Sequence, residues 1–146
     1  MFQDAIKLTG ELRITVTNPE GNVKQEVVVP NLVVTVGKNF IASRMKDATA
    51  TAMSHMAIGS GTTAAAAGDT TLGTELGRVA LTSTTVTANA VAYVATFPAG
   101  TGTGAITEAG LFNASSAGTL LCRTVFSVIN KGAADTLGIT WTVTVN

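Results

Sequence analysis

Three groups of residues have the types that chemistry needs. The stretch "MAIGSGTTAAAAGDTTLG", residues 56–73, runs an apolar segment into glycines, and "GSGTTA" from Gly59 to Ala64 fits the letter of a dinucleotide-binding turn. His55 and Cys122 are the only histidine and the only cysteine, the side chains that most often bind zinc or activate a nucleophile. Glu75 and Glu108 are the best candidates for paired carboxylates in acid/base chemistry at a glycosidic bond.

The spacing argues against each of these. A dinucleotide turn needs a following helix whose amides meet the pyrophosphate and an acid about 20 residues on for the ribose. Here the alanines after Gly61 are broken at Gly68 and Asp69, and "GRVALTST" near residue 80 holds no acid. A phosphate loop fails as well, because Asp69 stands where lysine would meet phosphate. The residue reads instead as the N-cap of a short amphipathic turn carrying Leu72 and Leu76, at the end of a small-residue surface loop.

One histidine and one thiol leave a zinc site to scattered carboxylates, with no pair at ligand spacing. His55 reads as a structural or surface residue. Cys122, inside "GTLLCRTVF", reads as a packed small hydrophobe in a strand. No GxSxG elbow is present. Glu75 is expected on a solvated helical face, and Glu108 is expected as the ion-pair partner of Arg78 or Arg123. No catalytic residue, cofactor or metal is expected.

The elements that must carry these residues are strands. The sequence is 46% hydrophobic but 12% charged, about half the usual charged share of roughly a quarter, with Thr, Ala, Gly and Val in excess. That mixture suits pleated sheets and suits exposed helix faces poorly. Nine basic and nine acidic residues balance to zero without a run of either sign, so no basic face offers itself to nucleic acid. The start "MFQDAIKLTGELRI" has neither a secretory signal nor a membrane-spanning pattern. A reducing cytoplasm is the expected site of synthesis, and a weakly charged surface favours contact with copies of itself or a partner.

Strict alternation marks Leu12, Ile14 and Val16, and again Ile139, Trp141, Val143 and Val145, as strand faces toward a core. "NPEGN" turns residues 11–29 into a hairpin. "NLVVTV" reads as a strand ended at Gly37. "KNFIASRMKD" then pairs Ile41 with Met45 one helical turn apart. "SHMAIG", "GRVALTSTTVT", "AVAYVATFPA", "AITEAGLFN", "GTLLCRTVFSVIN" and "DTLGITWTVTVN" complete about eight strands, with Trp141, Phe97, Phe112 and Phe126 building the core. The expectation is an all-β, single-domain (1–146) antiparallel β-sandwich or jelly roll with one short helix at about 38–47. Residues 1–10 are expected as an N-terminal arm anchored by Phe2 and Ile6, able to add a strand to a neighbour's sheet.

The segments "NLVVTVGKNFIASRM", "HMAIGSGTTAAAAGDTTLGTELGR" and "ITEAGLFNASSAGTLLCRTVFSVINKGAADTLGITWTVTV", in this order and spacing from about Asn31 to Val145, resemble small virion proteins of tailed bacteriophages. The resemblance implies a non-enzymatic structural component. Some such proteins decorate or cement the head, clamping neighbouring subunits of the major capsid protein; others carry an "ITEAGLFN"-like segment in tail-tip or tail-fibre proteins. A short chain without coiled-coil heptads favours a decoration protein on the capsid exterior, as a dimer or trimer. The alternative is a tail-tip, collar or fibre-attachment protein. The expected contact residues are Phe2 and Ile6 in the arm, Thr62, Thr63 and Asp69 in one loop, and Thr101 and Thr103 in another.

Overall fold

A computed structural model of the chain describes residues 5–46 and 50–146. Among the described residues, ten strands and one helix follow in the order β1 (Leu8–Thr17), β2 (Val23–Pro30), β3 (Leu32–Val33), α1 (Thr35–Arg44), β4 (His55–Gly59) and β5 (Glu75–Ala80). Then come β6 (Ser83–Thr87), β7 (Ala90–Phe97), β8 (Gly104–Phe112), β9 (Leu120–Lys131) and β10 (Thr136–Val145). They form two five-stranded antiparallel sheets, one ordered β2, β1, β10, β7, β6 and the other β3, β9, β8, β4, β5. The architecture is an all-β sandwich.

Alternation builds the layer between the sheets. Leu12, Ile14 and Val16 of β1 and Leu137, Ile139, Trp141 and Val143 of β10 point inward, with Leu12 paired opposite Trp141 and Ile14 opposite Ile139. Met56 and Ile58 of β4, Leu111 of β8 and Cys122 of β9 meet them from the second sheet. Trp141, Phe97 and Phe112 are fully buried, whereas Phe126 is only partly covered. Val145, the last of the alternating series, is exposed at the rim.

Several elements differ from the sequence reading. The helix starts at Thr35 and ends at Arg44, not at 38 and 47; position 47 lies outside the described residues. "NLVVTV" pairs in a sheet only at Leu32 and Val33, because the chain leaves β9 there and winds into α1. Gly37 lies so close to the Leu121 backbone that a Cβ would strike its carbonyl, and this approach places the first turn despite the β-branched Thr35 and Val36. "GRVALTSTTVT" is two strands in different sheets: Leu81 N–H still bonds Ser54 in the second layer, and Thr82 N–H already bonds Val94 in the first. The expected arm is shorter than ten residues, since Leu8, Thr9 and Gly10 pair with Val145, Thr144 and Val143 in β1.

Candidate functional site

The chemistry-bearing residues converge where residues 60–74, the β4–β5 loop, fold over the outer face of the second sheet. Leu72 anchors this cover. It packs into a second, smaller apolar cluster with Val34, Ala57, Phe112 and Leu120. The expected amphipathic turn does not form: Leu72 is buried, but Leu76 is 40% exposed within β5.

Beneath the loop lies Glu108, with no exposed surface. The β8–β9 ladder shifts register between Ile106 and Glu108. A regular strand would put these two residues on one face. Here Ile106 joins the main core while Glu108 faces the loop. One carboxylate oxygen of Glu108 accepts the amides of Gly61 at 2.6 Å and Thr74 at 2.8 Å; the other accepts the amide of Gly73 at 2.7 Å. The Arg123 guanidinium, 3% exposed, adds Nε at 3.1 Å and Nη2 at 3.0 Å.

Arg123 then continues to the loop itself. Its Nη1 reaches Asp69 at 2.8 Å, and its Nη2 donates to the Thr63 carbonyl at 3.0 Å. Asp69 also accepts the amide of Ala66, three residues behind it, so it closes the 66–69 turn and is not the N-cap of a turn ahead. Thr107 donates its hydroxyl to the Gly61 carbonyl, tying down the same glycine from its other side.

The glycines of "GSG" are explained by this arrangement. A Cβ on Gly61 would collide with the Glu108 carboxylate, and one on Gly59 would strike the Thr74 carbonyl. Small residues let backbone amides converge on an anion, as in a phosphate-binding loop. The anion held here is the chain's own carboxylate.

Burial opposes ionisation of Glu108, but the three amides and Arg123 outweigh it and hold its pKa below the ordinary glutamate value. The Ala66 amide, against some desolvation and with help from Arg123, holds Asp69 low as well. An ionised carboxylate with five donors has no proton to deliver. Glu75 stands apart, forking with Arg78 at 2.7 and 3.0 Å at the start of β5 and not on a helical face. Arg78 also donates to the carbonyls of Ala114 and Ala117 and stacks 3.8 Å from the Phe112 ring centre, fixing the 113–119 loop. Glu108 therefore pairs with Arg123, and Arg78 serves Glu75.

His55 contacts the Ser54 hydroxyl at 2.8 Å. Cys122 is a buried free thiol whose pKa burial pushes far up, which suits a packing role. Among the described residues no three His, Cys, Asp or Glu side chains gather as a metal site, and no helix is long and apolar enough to cross a membrane.

Thr62 and Thr63 are exposed on the pinned loop, and Asp69 is half-buried through its ion pair. Thr101 and Thr103 lie in the β7–β8 loop, where Gly100 and Gly102 take positive φ angles of 85° and 67°. This loop meets β5 at Gly77 and lies against Ile58 of the main core, on the opposite side of the second sheet from the 60–74 cover. Ile6 is 75% exposed ahead of β1, away from both loops in the sequence, and Phe2 lies outside the described residues. The features that sequence reasoning missed are the register shift and the five-donor carboxylate. Their only sequence signal is a lone Glu inside the apolar "AITEAGLF".

No family model, curated protein or solved structure matches this chain.

Proposed function

We propose that the chain is a non-enzymatic structural protein of a tailed-phage virion, a decoration protein that binds the assembled head from outside and bridges subunits of the major capsid protein. The observation that carries this reading is the pinned 60–74 loop. Its candidate acid is consumed in holding the loop, and what it presents outward is small and mostly uncharged: Thr62, Thr63 and Ala64. A rigid, pre-shaped surface spends little ordering entropy on docking. The resemblance of three long segments to small virion proteins supports the same reading.

The mechanism is linkage. A protein that binds only the assembled lattice lowers the free energy of that state and raises its resistance to disruption. The partners are the major capsid protein and other copies of this chain; nucleic acid and cofactors play no part. The site of action is the capsid exterior, after synthesis in the host cytoplasm.

Stoichiometry in purified virions tests it. Decoration requires on the order of hundreds of copies per particle, in keeping with lattice symmetry. A handful of copies would overturn it in favour of a tail-tip, collar or fibre-attachment role.

A further inference from the structure

A sheet edge offers unpaired N–H and C=O groups to any other strand, and natural sheets blunt such edges with charge, proline, bulges or shortness. Three of the four edges here are blunted. β2 carries Lys24 and Glu26, ends in Pro30 and shifts register against β1. β3 is two residues long. β5 carries Glu75 and Arg78 and shifts register against β4.

The fourth edge, β6, carries no charge and no proline, and its five residues pair in unbroken register. Its sequence is "STTVT", and all five residues are exposed. No charged residue occurs from Val79 to Thr107, so neither β6 nor its neighbour β7 contributes a charge nearby. Val86 is 69% exposed at this edge.

The hairpin geometry says which backbone groups are free. Ala88 and Asn89 form a two-residue loop closed by the Thr87–Ala90 pair, and the closing pair of such a loop is hydrogen-bonded. Alternation then turns the N–H and C=O of Ser83, Thr85 and Thr87 toward β7 and those of Thr84 and Val86 outward.

We infer that β6 is a homodimer interface, where two copies pair their β6 strands antiparallel about a two-fold axis at Thr85. Only in this register does every outward group find a partner. Thr84 pairs with Val86 of the second copy and Val86 with its Thr84, making four hydrogen bonds and joining two five-stranded sheets into one of ten. A second copy fits because the edge is its own complement: the contact is isologous, and uncharged strands meet without repulsion. A strand with charges would gain no counter-charge here. The inference stands independently of the virion reading, since it concerns the isolated chain in solution.

Sedimentation over a concentration series reads the mass directly. The dimer predicts a rise from 14.8 kDa toward twice that value. Thr85→Lys, which sets two like charges directly opposite each other, abolishes the rise while buried Trp141 keeps its native emission. Thr85→Cys places two thiols at a non-hydrogen-bonded pair, so mild oxidation cross-links it at least about tenfold faster than Thr140→Cys, exposed on central β10. A mass that stays at 14.8 kDa up to about 1 mM overturns the inference. So does a dimer that survives Thr85→Lys, or equal cross-linking at the two cysteine positions.

Discussion

The Glu108 carboxylate and the Arg123 guanidinium meet at 3.0 Å on adjacent strands, both buried beneath a loop that begins some 50 residues earlier in the chain. This contact turns residues 60–74 from a connection into a lid. Arg123 links the sheet to Asp69 and Thr63, and Glu108 gathers the amides of Gly61, Gly73 and Thr74. Both ends of the loop are thereby fixed to one ion pair.

Neutralising Glu108 removes the charge that the Gly61, Gly73 and Thr74 amides and Arg123 bind, and leaves Asp69 as the remaining carboxylate partner of Arg123. Glu108→Gln is expected to cost about 1.5–3 kcal/mol of folding stability, the scale of hydrogen bonds to a charged group. Urea unfolding followed by the emission of Trp141, the single tryptophan, measures the loss. A change under about 1 kcal/mol, the scale of exposed pairs, would show that the contact does not organise the loop.

The same carboxylates set an acid limit. Folded-state pKa values of Glu108 and Asp69 lie below their ordinary values of 4.5 and 3.8. Their stabilisation is complete above those ordinary values and is lost as pH falls through the lower folded ones. Unfolding free energy should therefore drop below about pH 4.5, and Glu108→Gln should show a shallower drop. Parallel slopes for the two proteins would contradict the assignment.

Two glycines in the loop should respond in opposite ways. A Cβ at Gly61 runs into the Glu108 carboxylate, whereas one at Gly68 meets nothing within 4 Å. Gly61→Ala is expected to destabilise by about 1–3 kcal/mol. Gly68→Ala is expected to be neutral or to stabilise by up to about 1 kcal/mol through the unfolded chain. Protection of the Thr74 amide against hydrogen exchange should fall in the first variant and hold in the second.

The β6–β7 hairpin carries a correctable strain. Ala88 has a φ of 52°, a left-handed conformation that costs an L-residue roughly 1–2 kcal/mol and glycine little. Ala88→Gly should raise the melting temperature. The gain is partly offset by the extra freedom glycine has when unfolded, so about 0.5 kcal/mol is expected. A lower melting temperature would mean that the Ala88 methyl contributes contacts that outweigh the strain.

Local pattern alone determined that this chain is all-β, that β1 and β2 form a hairpin, that Trp141 and its alternating neighbours face a core, and that Cys122 is buried in a strand. These follow from side-chain period and turn chemistry, which act over a few residues. Helix start and strand ends were less legible, because the Gly37–Leu121 approach overrides the β-branched Thr35 and Val36. The partner of Glu108 was narrowed by sequence to two arginines, and only the register of β8 against β9 chose Arg123. That register, and the meaning of the glycines at 59, 61 and 73, depend on contacts between residues far apart in the chain. Only the tertiary structure brings those residues within hydrogen-bonding distance, where a loop that reads like a phosphate cradle closes on the protein's own carboxylate.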